Sequence, residues 1–243
     1  MMFDLTGKKA LVTGSTQGIG FGIAECLAKY GAKVFINGIS SFEKTANASA
    51  KIPNSVPVVA DLSKTDCADE LFKVTGDIDI LILNASVQYR NPWDKITDEE
   101  FDKQIAVNFK ASLKLIQKYA PHMMSQRWGR IITVGSVQQA KPHKDMLVYA
   151  ASKAAQLNMV ESLAKQFAPF GITVNNVAPG VINTPRNFDA LSDEAYRKKV
   201  LEGIPAGFEG EANDCAGQFL LLCSNEGRYI TGENIFIDGG MKL

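Results

Sequence analysis

Apolar residues along the chain come in two alternating textures. Short continuous runs recur at Lys9–Thr13, Lys33–Ile36, Val56–Ala60, Ile78–Leu83, Arg130–Val134, Thr173–Val177 and Asn234–Asp238. Each has strand length, and the unbroken apolar character of Ile78–Leu83 is that of a strand covered on both faces. Between them the apolar positions return at helical spacing. One such stretch follows Gly20 and stops at Tyr30-Gly31, a second begins near Asp66, and a third runs through Phe101, Ile105, Phe109, Leu113 and Ile116. Thr97-Asp-Glu-Glu100 opens this third helix as a capping box, and Ser40-x-x-Glu43 has the same form. A further helix surrounds Tyr149, with Leu157, Val160 and Leu163 on its apolar side, and another covers Glu211–Cys223. Regular alternation of strand and helix predicts an α/β fold: one doubly wound parallel sheet of about seven strands, helices on both faces, in a single domain over residues 1–243. Residues 186–210 break the rhythm with a long polar stretch holding a short helix near Ser192–Leu201, which reads as a substrate-side lid.

Charge narrows the function classes. The chain of 243 residues carries 26 basic and 26 acidic side chains, with no block of one sign, so nucleic acid and membrane surfaces are poor partners. No apolar run reaches membrane-spanning length, and Met1–Lys9 is too polar for a signal peptide. Cys26, Cys67, Cys215 and Cys223 lack metal-ligand spacing and read as packing residues in a reducing, cytoplasmic setting. His122 and His143 are the only histidines, so no metal site is expected.

Candidate chemistry sits at strand ends. The first strand runs straight into Gly14-Ser-Thr-Gln-Gly18-Ile-Gly20 and a helix. Glycines in such a turn allow a tight bend and close approach of backbone to a pyrophosphate facing the helix N-terminus. The second strand ends in Asn37-Gly38-Ile39-Ser40-Ser41, offering neither an acid for a ribose hydroxyl nor an arginine for an added phosphate. Ser40 or Ser41 with Lys44 would suit a phosphate. Asp61 closes the third strand, where it caps a turn or meets an adenine, and Asn84-Ala85-Ser86 closes the fourth. Asn108 is a polar residue within an apolar helical stripe, and Ser136 follows the fifth strand at the sheet edge where doubly wound folds bind ligands. Tyr149 and Lys153 lie four apart, on one helix face. An ammonium one turn from a phenol favours the phenolate, which lets a weak acid work at neutral pH.

Together these motifs resemble the short-chain dehydrogenase/reductase family over essentially the whole chain. Thr13-Gly14-x-x-x-Gly18-Ile19-Gly20 is similar to its cofactor turn, Asp61 to its adenine contact, and Asn84-Ala85 to the start of its Asn-Ala-Gly segment. Asn108, Ser136, Tyr149 and Lys153 fall at its four catalytic positions. Pro179-Gly180 with Thr184 is similar to its nicotinamide-side motif, and Tyr229-Ile-Thr-Gly232 with Asp238-Gly-Gly240 to its C-terminal end. The resemblance implies a Rossmann-type fold and an NAD(P) cofactor, with a slight lean to NADP. Contacts to it are expected from Gly14, Ser15, Gln17, Gly18, Ile19, Gly20, Asn37, Ser40, Asp61, Leu62, Asn84, Ala85, Ser86, Tyr149, Lys153, Pro179, Gly180, Ile182 and Thr184.

By the same resemblance, Tyr149 exchanges the proton, Ser136 holds the substrate oxygen, Lys153 holds the ribose hydroxyls, and Asn108 holds a water linking Lys153 to solvent. Ser86 departs from the family's glycine. Polar loops carrying Gln88, Tyr89, Arg90, Asn91, Gln138, Gln139, Lys141, His143, Arg186 and Asn187 suit a polar small-molecule substrate: a sugar, polyol or hydroxy acid. The alternatives are a 3-oxoacyl-thioester reductase, with Arg90, Lys141 and Lys144 meeting a carrier, and a nucleotide-binding regulator with a vestigial site. A homotetramer or homodimer paired through the long helices is expected, with Phe109, Leu113, Leu157 and Met159 as candidate apolar contacts.

Overall fold

In the computed structural model, which describes residues 2–39 and 41–243, the seven apolar runs form one sheet in which every neighbouring pair is parallel. The strands are β1 (Lys9–Val12), β2 (Lys33–Gly38), β3 (Ser55–Val59), β4 (Ile80–Leu83), β5 (Gly129–Val134), β6 (Ile172–Pro179) and β7 (Asn234–Ile237). Their order is β3-β2-β1-β4-β5-β6-β7. The chain builds outward from β1 to β3, returns to the centre, and builds outward again from β4. The direction reverses between β1 and β4, so the loops leaving their carboxyl ends part and open a crevice.

The helices are α1 (Gly18–Lys29), α2 (Phe42–Ser49), α3 (Cys67–Thr75), α4 (Asp98–Ile105), α5 (Ala111–Gln126), α6 (Leu147–Phe167), α7 (Phe188–Leu191), α8 (Glu194–Glu202) and α9 (Ala212–Cys223). Side chains of a strand alternate between faces, and each face here meets its own core. Leu11, Leu81 and Ile131 join Leu71 of α3, Leu115 of α5 and Val160 of α6. Ala10, Val12, Ile82 and Ile132 join Ile23 and Leu27 of α1 and Phe219 of α9. Burial on both faces is why these strands are apolar without alternation. All four cysteines are free, with Cys67, Cys215 and Cys223 buried in these cores.

Three local expectations change. Thr97 and Glu100 do form a reciprocal capping box, but the helix they open is interrupted by one π turn at Ala106–Lys110 before α5 continues. Ser40 lies outside the described residues; α2 is capped one residue later, by Ser41 accepting from the Lys44 amide. The polar 186–210 stretch holds two short helices, α7 and α8, the second capped by Asp193 accepting from the Tyr196 amide. Of the residues expected to pair subunits, Met159 is buried in the core and Phe109 packs against it, whereas Leu113 stays at the surface, as does Phe101. Among the described residues no helix is long and apolar enough to cross a membrane.

At the end of the sheet away from the crevice, Arg130 is buried at the start of β5. Its guanidinium donates to the carbonyls of Gly129 at 2.8 Å and Ser224 at 3.2 Å, and lies 4.4 Å from the Trp128 ring. Burial holds its pKa below the ordinary arginine value. Removing the guanidinium leaves buried carbonyls without donors. Arg130→Met is expected to lower the unfolding free energy by about 2–4 kcal/mol, read by urea denaturation.

Candidate active site

The crevice is held open by a clasp between β1 and β4. Thr13 donates its hydroxyl to the Ile82 carbonyl at 3.2 Å and accepts from the amides of Asn84 at 2.9 Å and Ala85 at 3.0 Å. Asn84 returns the link, its side-chain amide donating to the carbonyls of Thr13 at 2.8 Å and Gly14 at 3.0 Å. The two loops touch so closely that a Cβ on Gly14 would stand 2.9 Å from the Ala85 Cα, and Gly14 has φ +60° besides. A Cβ on Gly20 would fall 2.7 Å from the Gly14 carbonyl oxygen and strike the Asn84 side chain. Both positions therefore need glycine.

Asn37 fixes the turn from the other side. Its Oδ1 accepts from the Gly14 amide at 3.2 Å, while Nδ2 donates to the carbonyls of Gly38 at 3.0 Å and Ala60 at 3.3 Å. Asn37 thus lines the crevice with its side chain already committed to backbone. Ser15, expected to touch cofactor, is turned inward and fully buried. It donates to the Val12 carbonyl at 2.6 Å and accepts from the Asn37 amide at 3.1 Å, so it shapes the turn from behind.

The resulting cleft has a volume of about 530 Å³. At one end it is lined by Gly14, Thr16 and Gln17–Gly20, with α1 presenting its N-terminus. Gln17 makes no side-chain cap bond and the first turn holds no acid, so the positive end of the helix is left for an anion. Asp61 and Leu62 line the adjoining wall. Asp61 accepts from the amide and hydroxyl of Ser63 at 2.9 and 2.8 Å, so it both caps a turn and faces the cleft. Partial burial works against its charge, yet those two bonds hold its pKa below the usual carboxylate range. Asn84, Ala85, Ser86, Pro179, Gly180, Ile182 and Thr184 continue the lining. These features suit a dinucleotide: an uncapped helix N-terminus for its phosphates and a long wall for the rest.

At the far end Ser136 and Tyr149 face the cleft together. Ser136 Oγ accepts from the Gln138 amide at 3.2 Å, and its own amide donates to Gln139 Oε1 at 3.2 Å. Gln139 Nε2 donates to Asn234 Oδ1 at 3.0 Å, tying this loop to β7. Tyr149 makes no hydrogen bond through its hydroxyl to any described residue and so leaves it for a ligand.

Lys153 and Asn108 are both buried behind the cleft. Lys153 is 1% exposed and does not line the cleft; its ammonium donates to the Val134 carbonyl at 2.7 Å and to Gln156 Oε1 at 3.0 Å. Burial, aided by the nearby Arg186 charge, lowers its pKa from 10.5 to about 7. Asn108 is fully buried in the π turn. Its side chain accepts from the Val87 amide at 2.8 Å and donates to the Val87 carbonyl at 2.9 Å and to Ser152 Oγ at 3.1 Å. Those bonds commit the side chain of Asn108, which straps the loop after β4 to α6. The widened turn is what lets an asparagine reach both elements.

Among the polar loop residues, Gln88, Arg90, Gln138, His143, Arg186 and Asn187 line the cleft. Asn91 donates instead to Glu100 at 2.7 Å, Lys141 to the Met241 carbonyl at 2.7 Å, and Gln139 is held behind Ser136. Arg186 reaches from the 186–210 stretch to Ser86, donating to its hydroxyl at 2.9 Å and its carbonyl at 2.8 Å. Arg90 donates to the Tyr196 hydroxyl of α8 at 3.4 Å. Thr16, Lys103, Val107, Met146, Tyr196, Val200 and Met241 also line the cleft, although the motifs did not single them out. Neighbouring motifs were the available signals: Thr16 lies inside the glycine turn and Met241 follows Asp238-Gly-Gly240.

A dinucleotide cradle ending at a paired serine and tyrosine defines a nucleotide-dependent oxidoreductase of Rossmann type. The family model described as enoyl-(acyl carrier protein) reductase matches residues 14–242. The 3-oxoacyl-[acyl-carrier-protein] reductase of Escherichia coli K12 is 39% identical, covering 99% of either chain. A 3-oxoacyl-(acyl-carrier-protein) reductase from Agrobacterium tumefaciens C58, solved with NADP bound, superposes with a TM-score of 0.94 at 34% identity over 98% of this chain and 96% of that one. A gluconate 5-dehydrogenase from Burkholderia cenocepacia J2315, in complex with NADP and tartrate, gives 0.92 at 31% identity over 98% and 96%. The chain belongs to the short-chain dehydrogenase/reductase family and is an oxidoreductase.

Two outcomes follow from this geometry. Thr13→Val keeps the side-chain shape but leaves the amides of Asn84 and Ala85 without an acceptor. It is expected to lower stability by about 2–4 kcal/mol in urea unfolding and to weaken dinucleotide binding in a fluorescence titration. Lys153 has a folded-state pKa of about 7 against 10.5 ordinarily, so between these values the unfolded chain binds the extra proton. Stability relative to Lys153→Met should therefore rise with pH from about 7 towards 10 and fall to its floor below 7, read as the difference in Tm between the two proteins.

Proposed function

We propose that the protein is an NADP-dependent dehydrogenase or reductase acting on a polar substrate (a sugar, polyol or hydroxy acid), with an acid-bearing hydroxy compound favoured. The observation that carries the substrate reading is the charge at the catalytic end of the cleft. Arg90 and Arg186 both line it, the hydrogen bonds described for their guanidinium groups go to neutral acceptors, Tyr196 and Ser86, and Asp61 on the far wall is the one carboxylate among the described lining residues. Guanidinium groups without a carboxylate partner favour a planar anion. The gluconate dehydrogenase neighbour, solved with tartrate, supports the same chemistry. NADP is favoured because no carboxylate lines the cleft where β2 ends, at Asn37–Ile39, and because structural neighbours were solved with it.

The residues would act as follows. Gly14, Gly18, Ile19 and Gly20 hold the pyrophosphate against α1, Asp61 and Leu62 border the adenine, and Pro179, Gly180, Ile182 and Thr184 border the nicotinamide. When bound, the cofactor supplies or accepts the hydride. Tyr149 gives its hydroxyl proton to the carbonyl oxygen in reduction and takes it from the alcohol in oxidation. Ser136 Oγ already accepts from the Gln138 amide, so its proton is free to donate to the substrate oxygen and stabilise developing charge. Lys153 contacts the ribose, and Asn108 is a positioning residue. Segment 186–210 closes over the substrate through the contacts of Arg186 and Tyr196.

A second reading, a 3-oxoacyl-thioester reductase, is favoured by the similarity to the E. coli enzyme. Lys141, which that reading assigned to a carrier, is bonded here to the Met241 carbonyl.

Tyr149→Phe is expected to abolish turnover, by at least about 1,000-fold in kcat, while NADPH still binds. Arg186→Gln is expected to lower kcat/KM by about 30–100-fold for a keto acid and by less than about threefold for the neutral ketose of equal length. Equal losses on both substrates would overturn the acid-bearing assignment.

A further inference from the structure

One of the two acceptors that hold Lys153, Gln156, lies outside the cleft. Gln156 lies three residues further along α6, fully buried, and its Oε1 accepts from the ammonium at 3.0 Å. The orientation of that amide is fixed from the other side. Its Nε2 donates to Ser112 Oγ at 2.9 Å, and Ser112 in turn donates to the Asn108 carbonyl at 3.3 Å. With the serine proton committed, the glutamine must turn its oxygen towards Lys153. Buried polar side chains persist where they are bonded, and an aliphatic residue would pack here without needing partners.

We infer that Gln156 is a positioning residue that gives Lys153 a neutral, prebuilt acceptor outside the cleft, from which the lysine must be released to reach the cofactor ribose. The inference rests on the proposed ribose contact of Lys153. It explains why the acceptor is an amide. A carboxylate at residue 156 would trap the ammonium as a buried ion pair, whereas an aliphatic side chain would leave it only the Val134 carbonyl. A neutral acceptor holds the lysine in place and still lets it go. Cofactor affinity then contains the cost of breaking the bond to Gln156.

The test is a double-mutant cycle read by fluorescence titration of NADPH on the full chain. Gln156→Leu and Gln156→Met should bind NADPH about tenfold more tightly, the worth of one hydrogen bond to a charged group. Gln156→Glu should bind it at least about tenfold more weakly. In the Lys153→Met background all these variants should agree with Lys153→Met alone within about twofold. Gln156→Met guards against Gln156→Leu failing to fold, and Tm is measured throughout. Shifts of one sign for Leu and Glu, or shifts that persist without Lys153, would overturn the inference alone. Unchanged NADPH affinity in Lys153→Met alone would overturn the ribose contact and the inference with it.

Discussion

The close approach of the Gly14 turn to the end of β4 is the constraint on which the site depends. Two loops diverge where the sheet order reverses, yet at their bases they must touch, with no room for a Cβ on Gly14. Thr13, Asn84 and Asn37 bind that contact together with hydrogen bonds to backbone. Because the clasp uses up the local polar groups, it leaves the N-terminus of α1 as the unsatisfied feature facing the cleft. An anion-binding end is thus a consequence of how β1 and β4 are tied.

Lys153 shows the opposite balance. A fully buried ammonium is unfavourable, and its pKa of about 7 expresses that burden. The fold tolerates it by supplying the Val134 carbonyl and Gln156, and by placing Tyr149 on the same helix face, its ring centre 5.8 Å from the ammonium. Arg186 adds a second positive charge nearby. An anionic substrate at Arg186 would relieve the repulsion on Lys153, so charge at the substrate end and at the lysine are coupled through one guanidinium.

Much of this was legible in the chain. Parallel strands covered on both faces are continuous apolar runs, so all seven could be placed, and glycines forced by close approach stand out at fixed spacing. Tyr149 and Ser136, singled out by their motifs, both face the cleft. What could not be read were partnerships across long separations. Nothing local shows that Ser86 meets Arg186, a hundred residues on, or that Ser112 orients Gln156. Asn37 was expected among the cofactor contacts because it lies near the end of β2, and nothing local shows that its side chain turns onto the Gly14 amide and the carbonyls of Gly38 and Ala60. Asn108 sits in a π turn, and that single extra residue per turn leaves no mark on helical periodicity.

The central claim is that the clasped cleft binds NADP and turns over an acid-bearing hydroxy or keto compound. Steady-state turnover of the wild-type protein tests it most directly, with NADPH and NADH each offered against keto acids, neutral ketoses and 3-oxoacyl thioesters. The account predicts NADPH oxidation with the keto acids at a kcat/KM at least about tenfold above that for the neutral ketoses. Turnover confined to thioesters, or a clear preference for NADH, would contradict it.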